Sequence, residues 1–135
     1  MEKSQYSILC IEDNQIVREK LVELLRSFFH TVYSASSAEE AIPLYQRNKP
    51  EIILTDINLP GISGMDLAKK IREKDLSTKV IILTAHMSDE LLLAASELKL
   101  TKYLLKPVTY KALKEALKLA IDELESIEIV YKKLI

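Results

Sequence analysis

The sequence predicts a doubly wound α/β domain built on a five-stranded parallel sheet, and three observations carry that expectation. Short apolar runs rich in Ile, Val and Leu recur along the chain, each bounded by polar or turn-forming residues. Segments of helical period alternate with them five times, the signature of βαβ units with right-handed crossovers. The central run, 51–55, is apolar on both faces, as a strand covered by helices on both sides must be. It ends on Asp56 and a loop punctuated by Pro60, Gly61 and Gly64.

In chain order, Tyr6 to Ile11 reads as a buried strand that ends on Glu12 and Asp13. Asp13 or Asn14 caps a helix running to about Phe29, with Val17, Leu21, Leu24, Leu25 and Phe28 at helical spacing. Thr31 to Ala35 is a second, weaker strand. Ser37-Ala38-Glu39-Glu40 is a capping box, and the helix it opens runs to about Asn48, with Pro43 expected to kink or loosen it. The central strand follows Pro50. Met65 to Lys74 is a helix with Leu67, Ala68 and Ile71 on one face. Lys79 to Leu83 is a buried strand leading to Thr84-Ala85, and Ser88 to Glu90 cap a helix over Leu91 to Leu98. Tyr103 to Leu105 is the last strand, ending on Lys106-Pro107, and Thr109 caps a long helix to the C-terminus.

Composition narrows the function classes. With 135 residues the chain is about one domain. Lys plus Arg (19) nearly balances Asp plus Glu (20), so no basic footprint points to nucleic acid. The apolar runs are far too short to cross a bilayer, and the first residues lack a signal-peptide core. A single cysteine, Cys10, excludes an internal disulfide and fits a buried, inert thiol in a reducing compartment. The expectation is a cytoplasmic domain without membrane or nucleic-acid contacts. His30 and His86 are too far apart in sequence to suggest a metal site.

In parallel sheets of this kind, ligands sit outside the carboxyl ends of the strands. The first strand delivers Glu12 and Asp13 there, the third Asp56, the fourth Thr84 and the fifth Lys106. If the first and third strands are neighbours, three carboxylates converge. Two like charges 4 Å apart repel by about 4 kcal/mol at an effective dielectric near 20. A hard divalent cation compensates such a cluster, and Mg²⁺ suits a site with few carboxylates. Cation, ammonium and hydroxyl are the parts that stabilise a transferring phosphoryl group, with Asp56 the nucleophile of an aspartyl phosphate.

These residues resemble the receiver domain of two-component response regulators. The resemblance rests on Ile11-Glu12-Asp13-Asn14, on Leu54 to Gly64, on Leu83-Thr84-Ala85 and on Tyr103 to Pro107, in order from residue 6 to about 123. It implies a flavodoxin-like fold with strand order 2-1-3-4-5. It implies Asp56 as phosphoacceptor, Asp13 as a direct Mg²⁺ ligand, Glu12 acting mainly through water, and the backbone carbonyl of Asn58 completing the shell. Lys106 would pair with the phosphoryl oxygens, Thr84 would turn its hydroxyl toward them, and Tyr103 would rotate inward behind it. The Lys106–Pro107 bond is usually cis in such domains. The implied partner is a sensor histidine kinase as phosphodonor, with output through the fourth helix, fifth strand and fifth helix. The chain departs from the family at Lys99-Leu100, where a small Gly-Ala pair is common, which puts the end of the fourth helix in question. Asn58 and His86 occupy positions that tune dephosphorylation.

Rival readings are a phosphorylation-independent docking module, an aspartate-nucleophile phosphatase and a flavodoxin-like cofactor binder. The phosphatase needs a second Asp two residues after the nucleophile, where this chain has Asn58. The cofactor binder needs a hydroxyl- and glycine-rich loop after the first strand, where Glu12 and Asp13 would repel a phosphate. Leu113, Leu117, Ala120, Leu124, Ile127, Tyr131 and Leu134 form a heptad seam along the last helix. The expected division is a receiver over 1–123 and an extension over 124–135 that links to an effector or pairs with a second copy. Leu134-Ile135 carries no helix-stop signal, which suggests a truncated chain. A homodimer is expected through that extension or through the fourth-helix to fifth-helix face.

Overall fold

The computed structural model describes residues 2–134. Five strands, β1 (Ser4–Ile11), β2 (Phe29–Ala35), β3 (Ile52–Asp56), β4 (Lys79–Thr84) and β5 (Lys102–Leu105), alternate with five helices. The helices are α1 (Gln15–Leu25), α2 (Ala38–Asn48), α3 (Gly64–Arg72), α4 (Asp89–Glu97) and α5 (Tyr110–Leu134). The strands are all parallel, in the order β2-β1-β3-β4-β5. Fold class and strand order are therefore those expected.

Period-2 alternation divides the core. Ile8, Cys10, Ile52, Leu54, Ile81 and Leu83 face one side, where α1 contributes Leu25 and α5 contributes Leu113, Leu117 and Ala120. Leu9, Ile11 and Ile53 face the other side, against Ala38 and Ala41 of α2 and Leu67 and Ile71 of α3. The buried Cys10 thiol is pushed up to about 12 by burial first and the Glu12 carboxylate second, so it stays protonated and unreactive.

The caps of α1, α2, α4 and α5 fall where expected, and Ser63 adds one for α3. Asn14, Ser37, Ser63 and Ser88 each accept the amide N–H three residues on, and Thr109 Oγ1 accepts from Ala112 N at 3.1 Å. α2 continues through Pro43. The main correction is at the end of α1, which stops at Leu25, short of Phe29. The Ser27 hydroxyl donates to the Leu24 carbonyl at 2.6 Å, and the Ser27 amide takes the same acceptor at 3.0 Å. That local bond closes the helix, and Phe29 opens β2 instead. β1 begins two residues earlier than expected, at Ser4.

The departure at Lys99 has a structural answer. Lys99 adopts φ 53°, the left-handed conformation that ordinarily falls to glycine after a helix. The Arg72 side chain from α3 binds the exposed end of α4, donating through Nε to the Leu98 carbonyl at 2.7 Å and through Nη2 to the Lys99 carbonyl at 3.3 Å. The α4 C-terminus is thereby satisfied with a lysine at the left-handed position. Relieving the Cβ strain with Lys99→Gly is expected to raise stability in urea unfolding by about 0.5–1 kcal/mol. A loss of stability would show that the lysine conformation is unstrained.

The connection from α3 to β4 is organised by Asp75. Its Oδ1 accepts from the Ser77 and Thr78 amides at 2.9 and 3.0 Å and from the Ser77 hydroxyl at 2.9 Å, and its Oδ2 from the Tyr45 and Thr78 hydroxyls. Burial favours the protonated acid, but these donors overcome it and hold the Asp75 carboxyl well below its ordinary range. A depressed folded-state pKa stabilises the fold above the unfolded carboxyl's pKa, and the effect fades as pH falls below it. Asp75→Asn should therefore lower stability by about 2–3 kcal/mol at neutral pH. The gap from wild type should narrow by about 1 kcal/mol near pH ~3; a gap independent of pH would mean that the charge contributes nothing.

Candidate functional site

Strand register builds the site. Ile11 is level with Thr55, so the next residues, Glu12 and Asp56, emerge side by side at the carboxyl edge. Asp56 is level with Leu83, which puts Thr84 one step beyond it on β4. Leu105 is level with Thr84, and Lys106 follows on the far side. The Lys106–Pro107 peptide bond is cis.

Carboxylate oxygens of Glu12, Asp13 and Asp56 lie within 4.8 Å of one another. Glu12 and Asp56 are buried and Asp13 is exposed. Lys106 Nζ donates to Asp56 Oδ2 and stands 3.6 Å from Glu12 Oε1. The convergence expected from the strand ends is thus present, with the lysine inserted between two buried acids. Burial, the largest influence on Lys106, lowers its pKa. The bond to Asp56 and the charges of Asp56 and Glu12 outweigh it, so the ammonium is held charged. Burial raises the Glu12 carboxyl, the Asn14 amide opposes that, and the neighbouring acids Asp13 and Asp56 reinforce it.

The remaining expected residues sit around this centre in different states. The Asn58 amide donates to Asp56 Oδ1 at 3.0 Å, which fixes the turn that carries the Asn58 carbonyl. The Thr84 side chain is buried, but its hydroxyl donates to the His86 carbonyl at 2.8 Å, turned into its own loop rather than onto Asp56. Tyr103 is 38% exposed at the surface of β5.

Three further residues support the site in ways the sequence did not reveal. Arg18 Nη1 donates to the Glu12 carbonyl at 2.8 Å and the Asp13 carbonyl at 3.4 Å, holding the backbone that presents both acids. Glu39 Oε1 accepts from the Ile62 amide at 2.9 Å and tethers the loop after Asp56 to α2. Gly64 packs so closely that a Cβ there would meet the Asp56 carbonyl oxygen at 2.1 Å. The glycine is legible in the sequence as punctuation of the loop after Asp56 and Glu39 only as part of the capping-box stretch, while Arg18 left no signal there.

Three carboxylates form a hard, all-oxygen donor set of the kind that Mg²⁺ takes. Among the described residues no helix is long and apolar enough to cross a membrane.

The chain is similar to known response regulators. The family described as "Response regulator receiver domain" matches residues 8–118. The positive alginate biosynthesis regulatory protein of Pseudomonas aeruginosa is 38% identical over 117 residues, covering 84% of this chain and 46% of that protein. The sensory transduction protein LytT of Oceanobacillus iheyensis is 34% identical over 112 residues, 82% of this chain and 46% of that protein. A response regulator receiver domain protein from Clostridium thermocellum superimposes with a TM-score of 0.83 at 30% identity, covering 90% of this chain and 98% of that one. The chain spans about half the length of the curated relatives it matches.

Proposed function

The chain belongs to the response-regulator receiver family of two-component signalling, and from that premise we propose that it is a switch thrown by phosphorylation of Asp56. The observation that carries the reading is the junction of Lys106 with Asp56 and Glu12, beside Asp13, at one strand edge. The donor is the phosphohistidine of a sensor kinase. A carboxylate oxygen of Asp56 bonds to phosphorus as the phosphorus–nitrogen bond of the donor breaks. Glu12, Asp13, Asp56 and the Asn58 carbonyl would hold Mg²⁺, which when bound neutralises charge on the phosphoryl oxygens. Lys106 gives up its pairing with the Asp56 carboxylate and takes a phosphoryl oxygen. Thr84 leaves the His86 carbonyl to donate to another, and Tyr103 swings into the space behind it.

The energetics suffice for a switch. Moving an equilibrium from 1:99 to 99:1 takes about 5.5 kcal/mol, and charge-assisted hydrogen bonds contribute up to about 3 kcal/mol each. Thr84 ends β4, Tyr103 stands on β5 and Lys106 follows β5, so the face formed by α4, β5 and α5 is the readout and a protein its partner. The domain acts as a switch rather than as a turnover enzyme, and its setting is the cytoplasm. The receiver occupies 1–123, and 124–135 is an extension of its last helix; Met1 and Ile135 lie outside the described residues. The test is incubation with acetyl phosphate and Mg²⁺ followed by intact-mass measurement. One phosphoryl group should be gained and then removed by hydroxylamine, with none gained in EDTA. No gain under any of these conditions overturns the reading.

A further inference from the structure

Two cations stand by the acid cluster and behave differently. Lys106 bonds Asp56 directly. Arg18, half-buried on α1, folds back over the start of its own helix instead. It directs one nitrogen, Nη1, to the Glu12 carbonyl at 2.8 Å and to the Asp13 carbonyl at 3.4 Å. Among the described residues it forms no ion pair with a carboxylate. We propose that Arg18 is a positioning residue for the divalent ion. By pinning the backbone of residues 12 and 13 it sets the direction of both carboxylates, so that removing this positive charge weakens the binding of a cation. The inference rests on the reading of the acid cluster as a Mg²⁺ site.

Charge alone argues for the opposite result. A guanidinium beside the cluster repels a dication, and a cation drawn back to a helix N-terminus opposes the helix dipole. What explains its place is the turn that it holds. The Glu12 amide is fixed by the Ala35 carbonyl at 3.1 Å, and the Asn14 side chain caps α1 by accepting from the Val17 amide at 3.0 Å. Between these anchors lies Asp13, whose side chain is exposed and whose carbonyl is held by Arg18. A carboxylate on an untied turn samples many directions, and that freedom is lost when an ion binds. The clamp has a second hold on α2. The Glu40 carboxyl lies below its ordinary range, first through its bonds to Ser36 and then through the charge of Arg18, so the guanidinium is drawn toward α2 as well as to the turn.

Geometry and charge leave different marks on two ions. Mg²⁺ demands a near-ideal octahedron, whereas Ca²⁺ tolerates irregular shells. A loosened turn therefore harms Mg²⁺ more than Ca²⁺, while a lost charge shifts both alike.

Calorimetric titration of the full 135-residue protein with magnesium chloride, and separately with calcium chloride, tests the proposal. Arg18→Ala and Arg18→Lys are compared with wild type, with urea unfolding as a check of the fold. Arg18→Ala should raise the Mg²⁺ dissociation constant about tenfold and the Ca²⁺ constant by no more than about threefold. Arg18→Lys should fall between wild type and Arg18→Ala for Mg²⁺, because it keeps the charge and loses the guanidinium's reach. It carries the same test if the alanine variant does not fold. A change in stability with both dissociation constants unmoved makes Arg18 merely structural and overturns the proposal. Tighter Mg²⁺ binding by Arg18→Ala, or an equal shift for both ions, does the same. Asp13→Asn separates this inference from the site itself. Wild-type Mg²⁺ affinity in Asp13→Asn, or no Mg²⁺ binding by wild type, brings down the site and the inference together. Binding lost in Asp13→Asn but unchanged in Arg18→Ala brings down the inference alone.

Discussion

Replacing Asp56 with Asn should abolish phosphoryl incorporation from acetyl phosphate while leaving the fold almost untouched. The two effects separate because of what the side chain does in each. As the proposed nucleophile, the carboxylate would supply the oxygen that bonds to phosphorus, and an amide has no comparable electron pair to offer. As structural partner, Asp56 accepts from Lys106 through Oδ2 and from the Asn58 amide through Oδ1. An amide oxygen in its place can keep one of these bonds, and Lys106 retains Glu12 Oε1 at 3.6 Å. Removing one of three crowded acids also relieves repulsion worth up to about 4 kcal/mol per close pair before screening. The net change in stability should stay within about 1 kcal/mol, readable by urea unfolding beside the mass measurement. Neither Glu12 nor Asp13 should substitute as acceptor. Glu12 Oε2 is held by the Asn14 amide at 3.1 Å, and Asp13 stands at the exposed rim. Label persisting at the wild-type level in the Asp56→Asn protein would remove Asp56 from the mechanism.

The fold and the centre of the site were legible in the sequence for one physical reason. A parallel sheet exposes its chemistry where apolar runs end, so Asp13, Asp56, Thr84 and Lys106 declare themselves by position. Strand register then does the rest, because β1 beside β3 at Ile11 and Thr55 leaves Glu12 and Asp56 nowhere else to go. What escaped has a different character. The end of α1 depends on a serine hydroxyl competing for a carbonyl within an apolar stripe, which periodicity cannot register. Arg18 and Glu39 act on backbone atoms of loops that are near only after folding. Lys99 looked like a defect in a glycine position until Arg72, 27 residues earlier, was seen bonding the same carbonyl. Patterns within one element were readable; side chains that serve another element's backbone were not.

Lys106→Met should make the metal-free protein markedly less stable and at the same time make it bind Mg²⁺ more tightly. The ion pairs that the described residues give Asp56 and Glu12 both run to Lys106. Methionine keeps the stem's volume and removes the charge, leaving two buried carboxylates uncompensated. Breaking a buried pair costs about 3–5 kcal/mol. Lys106 is one-third exposed, so solvent screens part of that, and a loss of about 2–3 kcal/mol is expected. In a chain of this size that is a fall in Tm of roughly 6–12 °C in EDTA. Mg²⁺ should recover most of it, because the dication answers the same charges. Without an ammonium competing for Asp56, the Mg²⁺ dissociation constant measured calorimetrically should drop at least about tenfold. Phosphoryl transfer from acetyl phosphate should nevertheless slow by roughly 10²-fold, since the positive charge that meets the phosphoryl oxygens is gone. Tighter metal with slower chemistry separates the two tasks of one side chain. Weaker Mg²⁺ binding at unchanged stability would mean that Lys106 neither balances the acids nor contends with the ion for them.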